Sequence, residues 1–180
     1  MHTATFSANR SRSWQAGALL LGTLFLALSS HVAVPMIPVP MTMQTLAVTL
    51  VGAALGWRLG ALTVLAWLGE AALGLPVLAG AAGPLVFAGP TAGYLAAFPF
   101  AAALVGWLVE RGWNGQRLVL AFAAMLAGNA LCLALGAAWL SVLVGLPKAL
   151  ALGVTPFLLG GVLKSALGAA TLKALVRFPA

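Results

Sequence analysis

Between Arg12 and Arg58 the only ionisable side chain is His31. A run this long and this poor in charge cannot cover a water-facing surface. Nor can it form one helix across a membrane core of ~30 Å, which needs about 20 residues. It has one clear break, Pro35-Met36-Ile37-Pro38-Val39-Pro40. Each proline lacks an N–H and clashes with the preceding turn, so prolines at this density cannot sit inside a helix. The pattern predicts a span at about 14–30, an extended connection, and a second span at about 42–57 with Thr42 as its N-cap.

The same pattern runs to the end of the chain. Of 180 residues, 63% are hydrophobic and 6% charged, where a soluble domain carries roughly 25% charged residues. Most of the surface must therefore face lipid. A third span is expected at 59–75, after Gly56-Trp57-Arg58. A fourth, at 91–109, ends at Glu110-Arg111-Gly112. A fifth, at 118–138, has apolar residues continuing to Leu146, and a sixth lies at 155–175. The expected fold is all-α, an integral membrane protein with six transmembrane helices. Its parts are a cytoplasmic N-terminal segment (1–13), a membrane domain (14–176) and a cytoplasmic tail (177–180). Arg10 and Arg12 before the first span give it the look of a secretory signal. More spans follow, so it is read as retained.

Nine Lys and Arg face two acids, Glu70 and Glu110. The basic residues are dispersed, without the stripe that nucleic acid would require, and read instead as topology signals. With the N-terminus inside, the inner segments hold Arg10, Arg12, Arg58, Arg111, Arg117, Lys173 and Arg177, and the outer loops hold only Lys148. Both termini are then cytoplasmic. The proline connection, the uncharged Gly/Pro-rich stretch from Leu75 to Pro90, and the 146–155 loop share the outer face. An apolar loop of that kind suggests backbone folded inward to line a cavity.

Catalysis is disfavoured. There is no P-loop motif, no Asp, and no His/Cys/Asp/Glu cluster at metal spacing. Cys132, the lone cysteine, reads as a packing residue. The informative residues are polar ones inside spans. Lys164 lies mid-span between Gly160 and Gly168 on one helical face. A charge there costs roughly 2.5–3.5 kcal/mol, so it snorkels, pairs with Glu70, or faces a polar ligand; the small flanking residues favour an inward position. Gln44 offers a donor and an acceptor, suited to a cyclic urea or to backbone at a helix start. Gly89-Pro90-Thr91-Ala92-Gly93-Tyr94 opens the fourth span. There Gly89 permits a turn, Thr91 caps, and the first-turn N–H groups suit an anionic or carbonyl oxygen. Tyr94 is either a ligand-stacking ring or an interfacial anchor. Asn129 reads first as interhelical glue. Trp14, Trp57 and Trp113 read as interfacial belt residues, and Glu70 as interfacial. Small residues at Ala18/Gly22 and Gly128/Cys132/Gly136 mark close helix packing or, for the first span, docking to a partner.

Three segments resemble the BioY family, the substrate-binding S components of energy-coupling factor (ECF) biotin transporters. They are Val39-Pro40-Met41-Thr42-Met43-Gln44-Thr45-Leu46; Gly74-Leu75-Pro76-Val77-Leu78-Ala79-Gly80, continuing to Gly89-Pro90-Thr91-Ala92-Gly93-Tyr94-Leu95; and Pro156-Phe157-Leu158 with Gly160 and Lys164. The likeness runs from about residue 15 to 175. It implies biotin as transported ligand with no cofactor, in a pocket near the outer face of a bacterial cell (inner) membrane. It also implies a transmembrane coupling protein and ATPase subunits as partners, unless the chain acts alone, for instance as a homo-oligomer. The contacts implied are near Gln44 and Thr42, near Gly89, Thr91 and Tyr94, and near Lys164, with Asn129 a further candidate. The family's third segment usually reads Gly-Asp where this chain has Gly160-Gly161, so a carboxylate suited to a ureido N–H is missing. Ala79 and Gly80 likewise lack the polar side chain expected in some relatives. The alternatives are an S component for a different small vitamin and a non-transporting structural subunit.

Overall fold

The structure is a computed structural model that describes residues 11–79 and 82–177. Arg10 and most of the 1–13 segment, Gly80, and residues 178–180 of the expected tail lie outside the described residues. The described residues are mostly helical, with two short strands and a few turns. Its elements are α1 (Arg12–His31), β1 (Ala33–Val34), β2 (Met41–Thr42), α2 (Gln44–Ala72), a 3-10 helix (Pro84–Ala88), α3 (Ala92–Glu110), α4 (Leu118–Val144), α5 (Leu146–Gly153) and α6 (Thr155–Arg177).

Among the described residues, five helices are long and apolar enough to cross a membrane: α1, α2, α3, α4 and α6. The second needs a closer look. At Gly56 the backbone leaves helical geometry, with φ 80° and ψ 172°, a conformation that favours glycine. In a straight helix, residues eight apart are roughly 12 Å apart. Here a Cβ on Gly60 would come within 2.8 Å of the Gly52 Cα. The chain therefore folds back at Gly56 into two arms, α2a (44–55) and α2b (57–72). The Glu110 carboxylate closes this turn, accepting the Trp57 N–H at 3.2 Å. One turn with φ near +80° thus replaces the loop expected around Arg58.

The bundle packs tightly because small residues let backbones meet. The most extensive contact is α2 with α3, where a Cβ on Gly52 would strike the Ala102 carbonyl and one on Gly106 would lie 2.5 Å from the Trp57 nitrogen. Gly22 of α1 faces Thr63 of α2b, so the small-residue pair in α1 is used at least partly for internal packing. The main core combines Leu26, Val48, Val64, Trp67, Phe98 and Ala101. Outward faces carry Leu20, Leu21, Leu24 and Leu28 on α1, Leu62 and Leu65 on α2b, and Leu159 and Leu163 on α6, all exposed. Apolar faces of this extent are stable only when covered by lipid or a protein partner.

Three connections differ from expectation. Around the prolines, β1 and β2 pair antiparallel, Ala33 with Thr42 and Val34 with Met41, closing the connection into a hairpin. The Ile37–Pro38 peptide is cis. Thr42 therefore ends a strand, and Met43 holds the N-cap position of α2. Second, 146–155 is largely helical: Pro147 sits at the start of α5, where its fixed φ suits a helix and its missing N–H costs nothing. Third, the 75–90 stretch folds inward but onto the α1–α2–α3 core. The Val77 carbonyl accepts from Ser30 Oγ at 2.8 Å and from Trp67 Nε1 at 3.1 Å. His31 Nε2 lies 3.2 Å from the Pro76 carbonyl. Leu78, Val86 and Phe87 pack against the same core.

Candidate functional site

A cavity of about 580 Å³, counting its open mouth, lies among the proline hairpin, α2a, α3, α4 and α6. Its walls are apolar at Val39, Pro40, Leu95, Phe98, Leu133 and Phe157. Polar groups reach it from Thr42, Gln44, Thr45, Thr91, Tyr94, Asn129 and Lys164. Among the described residues none of 75–90 lines it, so the expectation that this loop forms the wall is corrected: its Pro76 and Val77 carbonyls are bonded to His31, Ser30 and Trp67 instead.

Among the described residues, Lys164 supplies the only formal charge in the wall. Its ammonium donates to the Thr42 carbonyl at 2.7 Å and to Thr45 Oγ1 at 3.1 Å. It points inward, as the small-residue face of α6 requires: Gly160 meets Met41 and Gly168 meets Met125 and Leu46. Both bonds go to neutral oxygens, so the snorkelling and Glu70-pair readings give way to an inward cation bonded to the hairpin and α2a. An ammonium has three donors, and two have protein partners.

Thr42 and Gln44 form a unit with that lysine. Thr42 Oγ1 accepts the Gln44 backbone N–H at 3.3 Å and donates to Gln44 Oε1 at 2.9 Å. The Gln44 carbonyl oxygen is thereby engaged and its NH₂ is left for the cavity. Asn129 donates Nδ2 to the Met125 carbonyl at 3.0 Å and to Ser165 Oγ at 3.1 Å. It joins α4 to α6, as interhelical glue does, and faces the cavity as well.

Tyr94 is buried rather than interfacial. Its ring lies against Gly136, where any Cβ would overlap it. Its hydroxyl donates to the Gly153 carbonyl at 2.7 Å, and the Phe157 ring lies 6.3 Å away, centroid to centroid. Tyr94 therefore pins the α5–α6 junction to α3. Thr91 lines the cavity at the N-cap position, but its side chain makes no capping bond. The first-turn donors are largely engaged: Ala92 N bonds Gly89 O, and Tyr94 N and Leu95 N bond Thr91 O. The helix-terminus anion site expected there is thus reduced. Gly89 lies outside the wall, with φ −80°, a value any residue adopts. Its carbonyl accepts from Trp139 Nε1 at 2.9 Å.

Thr45, Cys132 and Phe157 in the wall were not singled out as cavity residues from sequence, whereas position 161 was, as the place of a missing carboxylate. Helical spacing carried the signal: Cys132 and Leu133 follow Asn129 by three and four, and Gly161 precedes Lys164 by three.

A helical membrane bundle enclosing an apolar cavity tipped with a few polar groups defines a membrane protein that binds a small molecule. The chain belongs to the BioY family, whose profile matches residues 4–179. It is 41% identical over 128 residues to the biotin transporter BioY of Rhizobium etli, covering 67% of this chain and 68% of that one. It is 39% identical over 141 residues to the probable biotin transporter BioY of Pyrococcus horikoshii, covering 76% and 82%. Its fold is similar to the crystal structure of the S-component for biotin from an ECF-type ABC transporter, with a TM-score of 0.78, 26% identity, and 94% and 95% of the two chains covered.

Proposed function

We propose that this chain captures biotin at the outer face of a bacterial cell membrane and moves it inward, as the substrate-binding S component of an ECF-type transporter. The observation that carries the reading is the cavity of a BioY-family chain, lined by Gln44, Asn129 and Lys164. Biotin offers an apolar bicycle, a urea and a carboxylate, and the wall offers apolar surface, amides and one ammonium. In this reading Gln44, held by Thr42, meets the urea, Tyr94 contributes ring surface, and Thr91 and Lys164 meet oxygen atoms. Gly89 contributes at the rim only through the start of α3. No covalent step is involved.

The fold-back at Gly56 makes α2 two crossings, which with α1, α3, α4 and α6 gives six. In this reading both termini are cytoplasmic, as an even count with basic residues concentrated on one side supports, and the proline hairpin, the 75–90 stretch and α5 are outside. Uphill import needs an energy source that this chain's sequence does not encode, so a transmembrane coupling protein and ATPase subunits supply it. Two experiments test this. Tryptophan fluorescence of the purified chain titrated with biotin should give a dissociation constant between low nanomolar and micromolar, about −12 to −8 kcal/mol. Absence of saturable binding would sink the assignment. Uptake in a host lacking every ECF coupling protein and ATPase should not be concentrative; accumulation there would remove the need for those partners.

A further inference from the structure

The cavity contains a hydrogen-bond acceptor whose orientation the fold dictates. The Met125 carbonyl can only accept, so the Asn129 atom 3.0 Å from it must be the donor nitrogen. The same nitrogen also donates to Ser165 Oγ, which itself donates to the Gly161 carbonyl at 2.7 Å. The amide cannot flip without setting two oxygens against each other. Its Oδ1 is therefore an acceptor, and it has no protein partner. Asn129 is only 4% exposed, yet among the described residues no fully buried side-chain oxygen or nitrogen lacks a partner. What exposure Oδ1 retains comes from the cavity that Asn129 lines.

Of the other groups facing that space, the Gln44 NH₂, whose oxygen is engaged by Thr42, and the third N–H of Lys164 can only donate, and the Thr91 hydroxyl can donate or accept. The wall contains no carboxylate. The chain's two acids are elsewhere: Glu110 closes the turn at Gly56, and Glu70 is outside the wall. Gly161 contributes no side chain, and a Cβ there would meet nothing within 4 Å.

We propose that Asn129 Oδ1 is the specificity-determining acceptor of this site: it receives a ligand N–H while Gln44 and Lys164 donate to the ligand's carbonyl oxygen. Two donors and one neutral acceptor across a small cavity match a cyclic urea held edge-on, and they reject the same ring once its N–H is replaced. This deepens the biotin reading and rests on it. A site built to bond an N–H discriminates because the analogue leaves a buried oxygen unpaired.

The test measures binding of biotin and of its two mono-N-methyl ureido derivatives to the purified full-length chain. Wild type should bind biotin at least ~10-fold more tightly than one of the derivatives. In Asn129→Leu, biotin affinity should fall and that preference should shrink to below ~3-fold. Asn129→Thr is the milder variant, since a threonine hydroxyl can satisfy the Met125 carbonyl as Thr63 does that of Leu59; it should show the same loss of preference. Ser165→Ala removes a partner of the amide nitrogen but leaves Oδ1 in place, so it should keep the preference even if affinity drops. A purely structural role for Asn129 predicts equal weakening toward all three ligands, and that result overturns the proposal. Wild-type binding that ignores N-methylation overturns it too. No biotin binding by wild type overturns the functional reading, and this inference with it.

Discussion

The α2–α3 interface and the cavity face of α6 are both rich in glycine, and glycine does opposite things in the two places. Along α2–α3, Gly52 and Gly106 remove side chains so that two backbones touch, and no space remains. On α6, Gly161 removes a side chain and nothing fills the gap. The difference lies in what surrounds each glycine. The first interface is apolar on both sides and collapses until carbonyl meets Cα. The second is propped by polar groups anchored on one side to the protein: Lys164 on Thr42 and Thr45, Asn129 through its nitrogen on Met125 and Ser165, and Tyr94 on Gly153. A membrane bundle keeps a cavity open by bonding its polar walls to backbone, so that closing it would break bonds made at little net cost.

Substitutions of one kind in the two regions test that contrast. The largest effect is expected for Gly52→Val, whose side chain would collide with the Ala102 carbonyl. Destabilisation of about 3 kcal/mol or more should follow, read as loss of monodisperse protein and a lower melting temperature in detergent. A well-folded Gly52→Val protein would mean that the interface is not close-packed. Next is Lys164→Ala, which should fold but bind biotin about 10- to 100-fold more weakly, the worth of a lost charge-assisted hydrogen bond. Unchanged binding would remove Lys164 from the site. Tyr94→Phe keeps the ring on Gly136 but leaves the buried Gly153 carbonyl without its donor, so it should cost about 1–3 kcal/mol of thermal stability; a null effect would show that the α5–α6 junction is held by packing alone. The smallest stability change belongs to Gly161→Ala. Its methyl enters open space and removes a helix-interior glycine, so stability should hold or rise by up to ~1 kcal/mol. Destabilisation would show that the gap is not there.

The spans and their breaks were legible because hydropathy and proline act locally. The prolines at 35–40 had to interrupt the helix, and the break at Gly56-Trp57-Arg58 falls where the chain folds back. Gln44, Thr42, Thr91, Tyr94, Asn129 and Lys164 could be picked out because polar groups are rare in such spans, and all six line the cavity. Gly89, chosen for conformational freedom it does not use, does not line it. The 75–90 stretch was expected to fold inward and does, but onto Trp67 and Ser30 rather than over the cavity.

What the amino-acid order determined by itself was a lipid-embedded helical chain, its interruptions, and the few side chains too polar to face lipid. What the tertiary structure decided was which of those side chains share one space and which atoms of each remain unbonded. The physical reason is that α3 and α4 are apolar all round, so no stripe marks their inward face. Packing through Gly52, Gly106 and Gly136 turns those helices, and that turn puts Asn129 Oδ1 in the cavity.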